Sequence, residues 1–344
     1  MSLQTLYRKY RPDSFARVIG QDHIVSVLKG SLKNETTTHA YLFSGSRGTG
    51  KTSVARILAR ELGCKGHDLY EIDAASNRGI DEIRELREAV NTLPFESKVK
   101  VYIIDEVHML TKEAWNALLK TVEEPPAHVI FILATTDLAK VPDTIISRCQ
   151  TFVFKRPTNE ILKKLVVTVG KEEGYIFDEG AASVLAFLGD GSFRDTLGLV
   201  QKVISSSKDK KITTKEVEAI TGAPSSWLVY NLILTTLNHD LAGALSVVAQ
   251  AVAENKDINL FIRLLLREVR LAMLLKYSPD LKTDIFNETD KDEEKFLTEV
   301  VIKPTSTMLP DLLRELLVAS LRLENPYVPQ LPLELALVKL LTEK

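Results

Sequence analysis

Between residues 40 and 154 the chain alternates short β-branched apolar runs with longer stretches whose apolar positions recur every three or four residues. That alternation is the pattern of a parallel sheet with helical crossovers. The runs predict strands at 40–44, 68–73, 99–105, 129–135 and 151–154, and helices at 52–62, 79–91 and 112–122. The third helix must stop before Pro125 and Pro126, because a proline pair cannot continue it. Residues 81–88 are crowded with charge and read as a solvated helix face. After Arg156 and Pro157 the strand pattern gives way to helical periodicity. Leu241, Leu245, Val248 and Val252 share one helix face, as do Ile258, Ile262, Leu265, Val269 and Ala272. The polar stretch 278–294 reads as a loop or a poorly packed connection, and apolar helices at 312–323 and 333–341 close the chain. These patterns divide it into an α/β domain over 1–157, a small helical domain over 158–222 and an all-helical domain over 223–344. The wide apolar faces of the last domain either pack on one another or meet neighbouring subunits, and the pattern leaves both open.

Composition narrows the picture in three places. With 44 basic and 46 acidic residues the net charge is −2, so a nucleic-acid surface would have to be a local patch. The basic turn at 208–211 reads as solvated rather than as such a patch. Cys64 and Cys149 are too few for a disulfide framework or a four-cysteine zinc site, which favours a reducing cytoplasm. The first 17 residues hold no apolar signal core, and no run approaches the ~20 apolar residues of a membrane span.

The chemistry is concentrated at strand ends. Gly45-Ser46-Arg47-Gly48-Thr49-Gly50-Lys51-Thr52 follows the run at 40–44, opens a helix and fits G-x-x-x-x-G-K-[ST]. In that loop glycines let backbone N–H groups approach phosphate oxygens, Lys51 neutralises the β/γ-phosphates and the Thr52 hydroxyl ligates Mg²⁺. A chance match in a glycine-bearing turn is the alternative, and the strand-turn-helix setting argues against it. The strand at 99–105 delivers Asp105 and Glu106 to the carboxyl edge of the sheet, where ligands of open α/β sheets bind. In a phosphate-loop enzyme Asp105 would hold the metal through water and Glu106 would activate the attacking water. Adjacent acids after a strand also mark helix starts, but their place downstream of such a loop favours catalysis. Thr136, ending the next strand, would meet the γ-phosphate or attacking water, or else this is a strand-end turn in which Thr136 or Asp137 caps the following segment. Arg148 is either a solvated corner arginine or a guanidinium offered to a neighbouring subunit's nucleotide. Arg194, at a helix start, either reaches back to the γ-phosphate or pairs with a nearby acid.

Together, Tyr7-Arg8-Lys9-Tyr10-Arg11-Pro12, Val18-Ile19-Gly20-Gln21, the phosphate loop, Ile72-Asp73-Ala74-Ala75-Ser76, Asp105-Glu106-Val107-His108, Leu119-Lys120-Thr121-Val122-Glu123-Glu124-Pro125-Pro126, Ala134-Thr135-Thr136 and Ser147-Arg148-Cys149 are recognisable. They resemble the gamma/tau family of bacterial DNA polymerase III, the sliding-clamp-loader ATPases of the AAA+ superfamily. The resemblance runs to about Gly222 and more loosely to the C-terminus. It implies an AAA+ P-loop parallel sheet domain, then a small helical lid domain and an all-α collar domain. It implies ATP and Mg²⁺ as cofactors, an adenine pocket of Tyr7, Arg11, Val18 and Ile19, and a catalytic set of Lys51, Asp105, Glu106, Thr136, Arg148 and Arg194.

By the same resemblance the partners are delta and delta-prime type subunits and further copies of itself in a pentameric ring, the sliding clamp and primer-template DNA, with no membrane. Asn77, Arg78, Thr111 and Lys112 would approach the DNA backbone. ATP binding would open the clamp and hydrolysis release it, with no polymerase activity in this chain. One departure concerns zinc. The family usually carries a four-cysteine module before the Ile72-Asp73-Ala74-Ala75-Ser76 strand, whereas here Cys64 and His67 lead directly into Asp68-Leu69-Tyr70. One cysteine and one histidine cannot close a zinc site, so no zinc is expected. The chain is also expected to lack the extension that binds polymerase and helicase in the longer family product. A non-hydrolysing scaffold subunit is the first alternative, opposed by the intact Lys51-Thr52 and Asp105-Glu106. Another DNA-acting AAA+ enzyme, such as a branch-migration helicase, is the second. It is opposed by Ser147-Arg148-Cys149, the N-terminal motif and a helical collar in place of a winged helix.

Overall fold

A computed structural model describes residues 4–77, 79–289, 291–322 and 327–342. The five apolar runs condense into one parallel sheet of β1 (Ala40–Ser44), β2 (Leu69–Asp73), β3 (Lys100–Asp105), β4 (Val129–Thr135) and β5 (Gln150–Val153), in the order β2-β3-β4-β1-β5. In β1 and β4 every residue is buried, as expected of central strands covered on both faces. Side chains alternate between those faces. Tyr41, Phe43, Ile103 and Ile132 pack on one side with Val54 and Leu58 of the helix Lys51–Glu61 and Ile24 and Leu28 of the helix Asp22–Lys33. Leu42, Tyr102, Ile104 and Phe131 pack on the other with Ile83 and Leu86 of the helix Ile80–Val90 and Trp115 and Leu118 of the helix Lys112–Glu123. In register, Ser44 of β1 lies opposite Thr135 of β4, while β4 separates β1 from the acidic strand β3.

The chain groups into two compact units, Met1–Leu165 with Ala186–Gln201, and Val166–Leu185 with Lys202–Lys344. Among its described residues the second is helical apart from β6 (Ile176–Phe177) and β7 (Lys211–Ile212), which pair in parallel. Two-residue strands carry no readable periodicity, and the sequence pattern missed them. The stretch 278–294, expected to be a loop or a poorly packed connection, instead contains the helix Lys282–Glu288 and the start of the helix Lys291–Ile302. Ile285 and Phe286 pack into the helical core, and Glu293 is buried, so few but well-placed residues hold this polar segment. Among the described residues no helix is long and apolar enough to cross a membrane.

Within that core the Arg267 guanidinium bonds to both the Glu268 and Glu293 carboxylates. Burial, reinforced by the Glu293 carboxylate and opposed by Arg267, pushes the Glu268 carboxyl from its ordinary 4.5 up to about 8. Between those values the folded chain holds a proton that the unfolded chain releases, so this contribution to stability falls as pH rises and is lost above about 8. Glu268→Gln should therefore gain stability relative to the parent chain between pH 5.5 and 8.5, read from urea midpoints. A constant difference between parent and variant would contradict this assignment.

Candidate nucleotide-binding site

The loop from Gly45 to Gly50 joins β1 to the helix Lys51–Glu61 and is held in a shape few residues other than glycine accept. Gly50, at the helix N-cap, has φ +102°, a left-handed conformation that glycine adopts without steric cost. Gly48, at φ +75°, lies so close to Ser192 that a Cβ would sit 1.9 Å from Ser192 Oγ. The Phe193 amide donates to the Gly48 carbonyl at 3.0 Å, which ties the helix Phe193–Ser206 to the loop. Thr49 Oγ1 donates to the Ser46 carbonyl at 2.9 Å. Lys51 Nζ donates to the carbonyls of Gly45 at 2.7 Å and Ser46 at 3.0 Å.

Lys51 is 5% exposed, and burial lowers its ammonium pKa against the pull of the Glu106 and Asp105 carboxylates. A buried cation whose hydrogen bonds end on neutral carbonyls is under-compensated. Ser46 Oγ is also buried, without a hydrogen-bond partner among the described residues. A buried ammonium, an unpaired hydroxyl and a helix N-terminus together fit the phosphates of a nucleotide.

β3 places its acids beside this cradle. Asp105 Oδ2 accepts from Thr52 Oγ1 at 2.6 Å, and its Oδ1 accepts the Glu106 amide at 2.9 Å. The Thr52 and Asp105 oxygens are hard donors of the type Mg²⁺ takes. Glu106 has φ 49° and ψ 43°, left-handed for a residue with a Cβ. Such conformations cost on the order of 1–3 kcal/mol and cluster at functional sites. Its Oε2 accepts from Thr136 Oγ1 at 2.8 Å and from the Thr136 amide at 3.3 Å. Thr136 thus meets the predicted base, while Asp137, which opens the turn Leu138–Lys140, makes no side-chain cap.

A cleft opens over these groups, lined by Arg47, Gly48, Thr49, Gly50, Lys51, Thr52, Asp105, Glu106 and Arg194 together with Tyr7, Arg11, Val18 and Ile19. Ile19 is 49% exposed, an apolar surface left open beside polar phosphate-binding groups. Buried Gln21 fixes this N-terminal wall, donating through Nε2 to the Lys155 carbonyl at 2.7 Å and accepting the Lys155 amide at 3.1 Å. The Arg194 guanidinium lies 5.9 Å from the Tyr7 ring centre. Leu165, Phe193 and Leu197 also line the cleft, and sequence reasoning missed them because no local spacing links them to the loop.

Other candidates lie elsewhere. Arg148 does not line the cleft; its Nη2 donates to Glu123 Oε1 at 2.6 Å and its Nη1 to the Thr144 carbonyl at 2.7 Å. Asn77 Nδ2 donates to the Asp73 carbonyl at 3.1 Å. Thr111 caps the helix Lys112–Glu123 by accepting the Ala114 amide at 3.2 Å, and Lys112 is exposed in its first turn. Arg78 lies outside the described residues. Cys64 is buried, and the turn Gly66–Asp68 leads directly into β2. Burial alone would raise the Asp68 carboxyl, but the amides of Phe95, Glu96 and Ser97, at 2.6, 2.9 and 2.8 Å, hold it at about 2.

A family model described as DNA polymerase III, delta subunit, matches residues 20–78 and 66–158. DNA polymerase III subunit tau of Bacillus subtilis (strain 168) is 42% identical over 303 residues, covering 82% of this chain and 54% of that protein. The subunit tau of Salmonella typhimurium is 38% identical over 296 residues, covering 80% of this chain and 46% of that protein. The chain therefore spans about half the length of these relatives. Among solved structures, the Thermotoga maritima RuvB Holliday junction branch migration motor matches with a TM-score of 0.53 at 20% identity, covering 66% of this chain and 78% of that one. At that identity the likeness is one of fold alone, a parallel sheet flanked by helices with helical segments after it.

Proposed function

The chain belongs to the gamma/tau family of bacterial DNA polymerase III subunits, and from that premise we propose that it is the ATP-hydrolysing motor subunit of a replicative clamp loader. The observation that supports this most is the cradle in which buried Lys51 and the Thr52–Asp105 pair sit beside a Glu106 carboxylate tied to Thr136. ATP supplies the bond to be cleaved, and Mg²⁺ neutralises phosphate charge. Tyr7, Arg11, Val18 and Ile19 enclose the base. Lys51 and the amides of the loop from Gly45 through Ser46, Arg47, Gly48 and Thr49 to Gly50 hold the phosphates. Thr52 and Asp105, now hydrogen-bonded to each other, would hold the cation. Glu106 accepts the proton of the attacking water, Thr136 orients Glu106, and Arg194 senses the γ-phosphate.

In this reading residues 158–222 form the lid and 223–344 the collar of a pentameric ring built with delta and delta-prime type subunits and further copies of the chain. The ring acts in the cytoplasm on the sliding clamp and primer-template DNA. ATP binding opens the clamp and hydrolysis releases it. Phosphate release measured with clamp, partner subunits and primed DNA should greatly exceed that of the chain alone. Duplex unwinding without a clamp would overturn the reading. Lys51→Ala should weaken ATP binding by about 2–5 kcal/mol, roughly 30- to 5000-fold, because it removes a buried charge partner of the phosphates. Equilibrium titration with a fluorescent ATP analogue measures this, and parental affinity would exclude the cradle as the site.

A further inference from the structure

His108 lies in the turn Val107–Met109, two residues after the strained Glu106, and its side chain is only 11% exposed. Its Nδ1 is 3.1 Å from Thr135 Oγ1 and 3.4 Å from Glu106 Oε2. The hydrogen on Nδ1 follows from its neighbours. Thr135 Oγ1 lies 3.0 Å from the Asp137 carbonyl, to which its hydroxyl can donate, and accepts the Asp137 amide at 3.0 Å. A protonated Nδ1 satisfies both neighbours: it donates to Thr135 Oγ1 while the Thr135 hydroxyl donates to the Asp137 carbonyl, and it avoids setting a nitrogen lone pair against Glu106 Oε2. Its hydrogen bond goes to Thr135 Oγ1, and Glu106 Oε2 lies 3.4 Å from the same nitrogen as a charged neighbour.

We propose that His108 is a positioning residue for ATP hydrolysis: its Nδ1–H, aligned by Thr135, holds Glu106 Oε2 at the carboxyl end of β4 and turns Oε1 towards the attacking water. With the two Thr136 donors on the same oxygen, Oε2 is committed to the protein, which leaves Oε1 to accept from water. A glutamate has three side-chain torsions to fix, and a reacting group misplaced by about 1 Å can lose 10²-fold in rate. The contacts of His108 are to Thr135 and Glu106, so its role is to position rather than to react. The proposal rests on Glu106 being the base.

The test compares His108→Ala, His108→Asn and His108→Gln in the full chain assembled with partner subunits, clamp and primed DNA. His108→Ala should lower kcat by about 10- to 100-fold while ATP affinity and KM stay within about twofold. His108→Asn, whose amide N–H can stand near the Nδ1 position, should restore most of the rate; His108→Gln, which presents its amide further out, should not. Undiminished kcat in His108→Ala, or a rise in KM equal to the fall in kcat, would overturn the proposal. Ring ¹⁵N spectra of the histidine-labelled chain without nucleotide supply a readout independent of turnover. They should contain an Nδ1-protonated signal that vanishes in His108→Asn and moves towards the Nε2-protonated form in Thr135→Val. An Nε2-protonated His108 in the parent chain would overturn the proposal even if His108→Ala failed to fold. Glu106→Gln separates the two levels: full turnover in that variant defeats the base assignment, whereas loss of turnover there with normal turnover in His108→Ala defeats only the role of His108.

Discussion

Replacing Glu106 with glutamine should leave ATP bound and lower turnover by about 10²–10⁴-fold, the range in which a positioned general base contributes. Glutamine preserves the length of the side chain, and its amide oxygen can still accept from Thr136, whose hydroxyl lies 2.8 Å from Glu106 Oε2. The left-handed backbone at φ 49° is also unaffected, because its cost belongs to the Cβ and the peptide rather than to the carboxylate. What disappears is the capacity to take a proton. ATP affinity by equilibrium titration should therefore match the parent chain while phosphate release collapses, so that kcat falls without a compensating rise in KM. Turnover within about threefold of the parent would place the base on another residue, and a large loss of affinity would make Glu106 a binding group instead.

The parts of this site that could be read from sequence are those whose geometry is local. The phosphate loop needs only eight consecutive residues after a strand, and β1 occurs at the predicted positions 40–44. β4 likewise occurs at the predicted 129–135, because a strand buried on both faces is an unbroken apolar run bounded by polar residues. The partnership of Glu106 with Thr136 was less legible, since it depends on β3 and β4 being neighbours with their ends in step. Leu165, Phe193 and Leu197 reach the cleft from helices far along the chain, and their apolar spacing marks them equally well as ordinary core. The stretch 278–294 misled for the opposite reason. Its polar composition concealed Glu293, whose burial is compensated by Arg267 on another helix. Pairings of that kind leave no periodicity in either segment.

Arg148→Ala should be nearly silent in the isolated chain and severe in the assembled ring. In the chain alone the guanidinium is 34% exposed and bonded to a Glu123 carboxylate that is 48% exposed. Ion pairs of that exposure contribute about 0–1 kcal/mol, so their loss does not unfold a domain. The cleft is lined without Arg148, and ATP affinity of the isolated variant should accordingly match that of the parent. If the guanidinium instead serves a neighbouring subunit's nucleotide, it meets charge developing on the γ-phosphoryl group, where such arginines contribute about 10³–10⁵ in rate in GTPases. Arg148→Lys should not restore the loss, because an ammonium cannot present the planar paired donors that suit phosphate oxygens. Mixed rings carrying one Arg148→Ala copy provide the sharpest measurement. Hydrolysis should fail at the nucleotide of the neighbour while the variant's own nucleotide still turns over, provided the subunit serving it retains its arginine. A defect of equal size in the isolated chain, or one confined to the variant's own nucleotide, would show that Arg148 does not act across the interface.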